Sequence, residues 1–306
     1  MAASERSGTT RSDPANGPTG LNLDQVFAEL RPAMFALAYR ITGNGADAEE
    51  IVQDAFLRLQ DAEPGGAVRS LKAYLTTITA RLSLNRLRDQ RARRETYLGE
   101  WLPEPLVTEG EPGVRAEDVS FALLVVLERL SPLERVVFVL RNAFDLTFEE
   151  ISSAVERDAA TCRKLFSRAR SHVMQERPRF AVDREHHRAL LRVFAEAARG
   201  GDTAGLVSLL DENVAFHGDG GGKALASRKP VTGNDAVAQF LIAVTRTLPD
   251  DTVAELVELN AAPALVLKSG NRPMVAILIE TDGKRIYSIY GISNPDKLGG
   301  IAAAGP

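Results

Sequence analysis

Residues 147–175 read TFEEISSAVERDAATCRKLFSRARSHVMQ, and their spacing decides the fold of the middle of the chain. Thr147 and Glu150 are spaced as a capping box, so a short helix opens there and ends near Val155. After Glu156-Arg157, Asp158 caps a second helix that runs to about Gln175, and Pro178 ends it. On that second helix Cys162, Leu165, Phe166, Ala169 and Val173 share one face. Thr161, Lys164, Arg168 and Ser171 share the other, flanked by Arg163, Ser167 and Arg170. A short helix, a tight turn and a helix with an apolar rear and a basic, hydroxyl-bearing front make a helix-turn-helix pattern, whose second helix fits the DNA major groove. An ordinary helical hairpin with a charged exterior has the same pattern, so the spacing alone favours DNA binding only modestly.

Upstream, Ser131-Pro132 reads as an N-cap followed by proline at the first helical position, and helices resume at Asp118. Residues 95–117 contain Pro103, Pro105, Pro112 and three glycines, with six acids against Arg115, and read as a linker. Before it the pattern is helical from Leu21 to about Arg94. Ala48, Ile51, Val52, Ala55, Phe56 and Leu59 form an amphipathic stripe, with Asp47 and Glu50 spaced as a capping box. A similar stripe runs from Val26 to Ile41, where Pro32 implies a first-turn position or a kink. A third helix from about Ser70 ends in residues 81–94, which hold six arginines against Asp89 alone. Such a cluster can neutralise phosphates; a solvated helix end that favours its own dipole is the plain alternative.

From about Asp183 the character changes. Helices at His186–Arg199 and Thr203–Leu210 precede β-like runs at 214–217, 254–259, 264–268, 275–281 and 285–290, with a helix at 234–247 among them. Asp282-Gly283 suits a hairpin turn. Helices followed by an antiparallel meander indicate α+β.

The whole chain has 306 residues, which suggests two or three domains at about 100–200 residues each. Apolar residues make up 44% and charged residues 25%, which excludes a mostly disordered chain. The net charge of −4 excludes a uniformly basic coat but not a local basic face. The single cysteine, Cys162, excludes a disulfide framework and a cysteine-rich zinc site, and fits a reducing cytosol; a small buried hydrophobe is its commoner role than a redox switch. No apolar run approaches the roughly 18 residues of a membrane helix. The first 20 residues lack an apolar h-region and read as a disordered tail, not a secretory signal. Cytoplasmic localisation is the expectation.

Taken together, residues 21–177 resemble a bacterial sigma factor of the extracytoplasmic-function group. AYRITGNGADAEEIVQDAFLRL resembles the helix docked on the RNA polymerase clamp. SLKAYLTTITARLSLNRLRDQRARR resembles the helix and loop that melt and read the −10 element. LERLSPLERVVFVLRNAFDLTFEEISSAVERDAATCRKLFSRARSHV resembles the domain that reads the −35 element. Two departures are Tyr74, where tryptophan is frequent, and Glu156, where a small residue or glycine is frequent. The resemblance implies polymerase contacts at Gln53, Asp54, Phe56 and Arg58; physically, Asp54 and Arg58 are also an i,i+4 pair. It implies −10 contacts at Tyr74, Arg81, Asn85, Arg86 and Arg88, with aromatic stacking on an unpaired base. It implies −35 contacts at Thr161, Arg163, Lys164, Ser167 and Arg168.

Segment 183–292 resembles a SnoaL-like domain, a cone of curved sheet with helices, and the whole resembles the sigma-factor group carrying that domain at its end. Three short segments carry the likeness: WLPEP (Trp101 to Pro105), DGGGK (Asp219, Gly220, Gly221, Gly222, Lys223) and NPDKL (Asn294, Pro295, Asp296, Lys297, Leu298). The expected fold is therefore multidomain: two all-α sigma domains, the second with a helix-turn-helix, then an α+β SnoaL-like domain. The expected boundaries are a tail at 1–20, region 2 at 21–94, a linker at 95–117, region 4 at 118–177, the SnoaL-like domain at 183–292 and a regulatory tail at 293–306.

The expected function is promoter-directed transcription initiation with core RNA polymerase and promoter DNA as partners, two basic readers being held apart by a flexible tether. His217, Asp219, Asp235 and Tyr290 are acid or base candidates for an alternative SnoaL-type enzyme or small-molecule sensor fused to a DNA-binding module. No nucleophile–base signature accompanies them, and neither catalysis nor any cofactor or metal is expected. A plain repressor with one helix-turn-helix is a third reading. The linker ties the extra domain beside both readers at an effective concentration on the order of millimolar. Trp101, the only tryptophan, needs a docking surface. Trp101, Leu102 and Pro103 are therefore expected to pack on the C-terminal domain near DGGGK, with NPDKL reaching the DNA-reading domains or polymerase. Such an arrangement requires no separate anti-sigma factor, while leaving room for one.

Overall fold

The computed structural model describes residues 23–62, 70–94, 97–108, 120–176 and 182–303. The tail expected at 1–20, linker residues 109–119 and the side chains of Arg93 and Arg94 lie outside them.

Helices α1 (Leu23–Thr42), α2 (Gly45–Ala62) and α3 (Leu71–Arg94) pack together at the start of the chain. Pro32 lies well inside α1, not in its first turn. The cap of α2 is Asn44, whose Oδ1 accepts from the Asp47 amide at 2.7 Å. This corrects the capping box expected at Asp47 and Glu50: the Asp47 carboxylate is instead taken by Arg86 and Gln90 of α3. Helices α4 (Phe121–Glu128), α5 (Pro132–Ala143), α6 (Phe148–Val155) and α7 (Ala159–Glu176) follow. Full capping boxes stand at Ser131/Glu134 and Thr147/Glu150. Glu156 ends α6 at φ +55°, a left-handed position that glycine would occupy with less strain.

The two helical groups are not held apart by a tether. Leu37 and Ile41 of α1 and Ala80, Leu84 and Leu87 of α3 share one buried apolar cluster with Val136, Val137 and Leu140 of α5 and Ile151, Ala154 and Val155 of α6. The alternate apolar positions on α1 and α3 that no partner within the first three helices covers are the reason. Arg135, 1% exposed, reinforces this contact: its Nε donates to the Arg40 carbonyl at 2.9 Å, and its Nη1 pairs with Glu128 at 2.7 Å.

The C-terminal part holds α8 (Arg184–Gly200), α9 (Thr203–Leu209), β1 (Leu210–Asp219), β2 (Val231–Thr232), α10 (Asn234–Thr245), β3 (Thr252–Leu259), β4 (Ala262–Ser269), β5 (Arg272–Thr281) and β6 (Ile286–Ile292), then a 3-10 turn at Pro295–Lys297 and α11 (Gly299–Ala303). The sheet order is β2-β1-β6-β5-β4-β3. β3 to β6 form an antiparallel meander, but β1 pairs with β6 in parallel, so the expected all-antiparallel arrangement is corrected at that junction. Alternation along the strands sends Leu265, Ile277, Ile279 and Ile289 to one face, under α8 to α10. It sends Ala264, Val266, Ala276, Leu278 and Ile292 to the other, against Leu102, Phe121 and Val125. Over β4 to β6 most residues of both faces are covered, which is why these strands read as apolar runs, while the edge strand β3 is exposed or half-buried along most of its length. Among the described residues no helix is long and apolar enough to cross a membrane.

His187 of α8 is buried and its Nε2 has no hydrogen-bond partner, so burial lowers its pKa to about 4 from the usual 6.5. The unfolded chain therefore binds this proton between those values while the native chain does not, and stability falls as pH drops through that window. In urea unfolding, the stability of His187→Gln relative to the natural chain should improve as pH falls from 6.5 to 4; a pH-independent difference would contradict the assignment.

Candidate functional site

Three stretches far apart in sequence meet at the end of β1. The Asp219 carboxylate, fully buried, accepts from the Leu102 amide at 2.9 Å, the Gly221 amide at 3.1 Å, the Tyr97 hydroxyl and Lys297 Nζ at 2.6 Å. Its main-chain carbonyl accepts from the amides of Ser293 at 2.8 Å and Asn294 at 3.0 Å. Lys297, 3% exposed, also donates to the Leu102 carbonyl and stands 3.4 Å from the centre of the Trp101 ring. A desolvated ammonium over an indole face is a strong cation–π geometry. Gly221, at φ +62°, lies so close to Asn294 that a Cβ would come within 2.5 Å of its amide group. Asn294 in turn donates to the Tyr97 hydroxyl at 2.9 Å, and burial beside Asp219 pushes that hydroxyl's pKa up. Lys223 pairs with Asp296 at 2.5 Å on the surface. The tail NPDKL thus folds back onto the linker and β1, where the expectation had it reaching toward the readers.

The linker continues into the helical part. Glu104 is buried, its carboxylate accepting from the Gly45 amide at 2.8 Å, and desolvation raises its pKa. The Glu104 carbonyl accepts from the Tyr39 hydroxyl at 2.6 Å, and Asn260 Nδ2 donates to that same hydroxyl at 2.7 Å. One phenol of α1 therefore joins linker and sheet. On the other side Leu102 packs with Phe121 and Val125 of α4. Residues 97–108 are thus clasped by all three parts of the chain.

The DNA-facing candidates divide. Of the −35 set, Lys164, Ser167 and Arg168 are exposed on α7; Arg163 lies 3.5 Å from Glu149, and Thr161 donates to Asp158 at 2.6 Å. Cys162 is fully buried on the opposite face, and burial raises its pKa. Of the −10 set, Asn85 and Arg88 are exposed, while Tyr74 is half-buried and donates to the Arg58 carbonyl at 3.3 Å. Arg86 is held by Asp47 and Glu50. Arg81 donates to the carbonyls of Ser153 at 2.7 Å and Ala154 at 3.3 Å, the free C-terminal carbonyls of α6, with Glu156 at 3.7 Å. Helix α3 is thereby hydrogen-bonded to α6.

On α2, Gln53, Asp54 and Arg58 are exposed. Phe56 is not: it is 7% exposed, in edge contact with Phe27 at 4.6 Å, so as a surface contact it is corrected to core. Leu57, 58% exposed, is the apolar group that the helix presents one turn beyond Gln53, and the sequence reading missed it. Also missed were Tyr97, Tyr39 and Asn260; only Tyr97, an aromatic beside Trp101 in a linker, carried a sequence signal. Of the enzymatic candidates, His217 and Tyr290 meet, their rings stacked 5.4 Å apart on paired strands, while Asp219 and Asp235 are engaged or placed elsewhere. Asp219 is neutralised by Lys297, His217 faces Glu100 at 3.0 Å, Tyr290 donates to Glu280, and Asp235 is exposed on α10. Among the described residues no cluster has the makings of a metal site.

Comparison with known proteins gives matches along the chain. Residues 26–93 match the family model for Sigma-70 region 2, and residues 120–173 that for Sigma-70, region 4. The chain is 39% identical over 292 residues to the ECF RNA polymerase sigma factor SigJ of Mycobacterium tuberculosis, covering 90% of this chain and 92% of that one. It is 37% identical over 191 residues to the probable ECF RNA polymerase sigma factor SigI of the same species, covering 60% of this chain and 66% of that one. The crystal structure of SigJ superposes with a TM-score of 0.73 at 34% identity, covering 90% of this chain and 98% of that one, so the likeness includes the C-terminal sheet.

Removing Lys297 leaves the buried Asp219 charge uncompensated. Lys297→Met should destabilise the protein by about 3–5 kcal/mol in urea unfolding, and adding Asp219→Asn should recover a large part of that. Additive losses would show that the two groups do not act as a pair.

Proposed function

The chain belongs to the extracytoplasmic-function RNA polymerase sigma factors, and from that premise we propose that it alternates between a closed form, in which its own linker and C-terminal domain hold the two readers together, and an open form engaged on a promoter. It directs core RNA polymerase to promoters for transcription initiation, as a member of a non-enzymatic family. The observation that carries the proposal is the Arg81 contact with the carbonyls of Ser153 and Ala154. Elements centred on −10 and −35 are about 25 base pairs apart, roughly 85 Å at 3.4 Å per base pair. Readers in hydrogen-bond contact cannot reach both at once. Opening frees Arg81 for the −10 strand, where it joins Tyr74, Asn85 and Arg88, while Thr161, Arg163, Lys164, Ser167 and Arg168 face the −35 groove. Gln53, Asp54, Leu57 and Arg58 form the polymerase-facing surface of α2. Arg86, already paired with two acids, acts by holding α3 on α2.

The C-terminal domain is the regulatory element of this scheme. Trp101, Leu102 and Pro103, DGGGK and NPDKL form its latch on the linker, and the linker's grip on Tyr39 and α4 transmits the latch to both readers. A regulator built into the chain makes a separate anti-sigma factor unnecessary.

Run-off transcription with core polymerase and a promoter library tests this with the full chain and with a chain ending at Ile292. Both should co-elute with core enzyme, and transcript levels should differ several-fold. Equal transcript levels would contradict the regulatory role of the tail, and a full-length chain yielding no promoter-specific product would contradict the initiation role.

A further inference from the structure

The sheet face turned away from the linker bounds a cavity of ≈ 720 Å³ between the C-terminal turns of α8 and α10 and strands β3 to β5. That volume lies within the roughly 300–1,000 Å³ of small-molecule sites. Its floor is apolar, built from Phe194, Leu241, Leu265 and Ile277. Thr252 lines it, and the Thr252 hydroxyl is buried without a hydrogen-bond partner in the protein. A buried hydroxyl beside an open apolar space is a donor waiting for an acceptor from outside the chain. The mouth carries Arg192, Arg199 and Arg246, all exposed, and among the described residues none of them has an ion-pair partner. Glu196 and Asp250 share the mouth, so the cations outnumber the carboxylates there.

We propose that this cavity binds a small organic carboxylic acid with an apolar body. The body lies on the aromatic and aliphatic floor, the carboxylate stays at the mouth among the arginines, and an oxygen of the ligand accepts from Thr252. Guanidinium groups suit this task because their planar donor pairs match a carboxylate. A neutral ligand of the same shape would use the floor but leave the arginines idle. The floor also adjoins the latch: Leu265 and Ile277 alternate along their strands with Ala264, Val266, Ala276 and Leu278, which hold Leu102 and Val125 on the opposite face. The binding site itself is independent of the initiation function and is tested without polymerase.

Isothermal titration of the full chain with decanoate and with 2-naphthoate, each beside its neutral alcohol, is the direct test. At least one acid should bind, at least tenfold more tightly than its alcohol, and the one that does identifies a chain-like or an aromatic body. Arg199→Gln combined with Arg246→Gln, both at exposed positions, should weaken that acid at least tenfold without lowering Tm. Thr252→Val, close to isosteric, should weaken it several-fold. Absence of binding by both acids up to millimolar concentration would overturn the proposal, as would equal affinity for acid and alcohol or unaltered binding by the arginine variant.

Discussion

A carboxylate withdrawn from water carries a cost of several kcal/mol unless its charge and lone pairs are met. Asp219 is withdrawn completely, and apart from Gly221 in its own loop the groups that meet it come from elsewhere in the chain: Leu102 and Tyr97 from the linker, Lys297 from the tail. None of these groups is a satisfactory partner alone. Lys297 is itself buried and depends on Asp219, the Leu102 carbonyl and the Trp101 ring for its own charge. The arrangement is therefore cooperative, because losing one member strands the others.

Such a latch has consequences beyond the sheet because of what the linker does next. Within a few residues of Leu102 the chain meets the Gly43 carbonyl, the Gly45 amide and the Tyr39 hydroxyl, all in region 2. Gly43 stands at φ +68°, and a Cβ there would collide with Glu128, the partner of buried Arg135. Region 2, region 4 and the linker thus converge on one turn. A shared apolar cluster and the Arg81 contact complete the closure. Opening the readers would expose apolar surface from α1, α3, α5 and α6, so the proposed open form requires a compensating surface from its partners.

Much of this was legible in the sequence. Periodicity located most of the helices and strands within a few residues, because each amphipathic stripe maps to a buried face; β2, the 3-10 turn at Pro295–Lys297 and α11, too short to show a period, went unread. The caps at Ser131, Thr147 and Asp158 were readable because side chain and amide are local. Asp47 was misread because its partners, Arg86 and Gln90, lie some forty residues away, beyond any local rule. Phe56 was assigned to the surface by resemblance although its place in the stripe marked it as core. The parallel β1–β6 pairing left no trace in either strand, and the packing of the two readers against each other left none in the linker composition. The need of the Trp101 ring for a docking surface pointed WLPEP toward DGGGK, and the Leu102 amide does meet Asp219 there; the arrival of NPDKL at the same carboxylate is a property of the tertiary fold.

The closure of the two readers is measured most directly by pulsed electron spin resonance between labels at Gln60→Cys on α2 and Met174→Cys on α7, both exposed, with buried Cys162 left unlabelled. The free protein should give one short, narrow distance distribution. Core polymerase with promoter DNA should replace it with a distinctly longer one, as two elements roughly 85 Å apart require. An unchanged distribution in a transcribing complex would contradict the closed-to-open account.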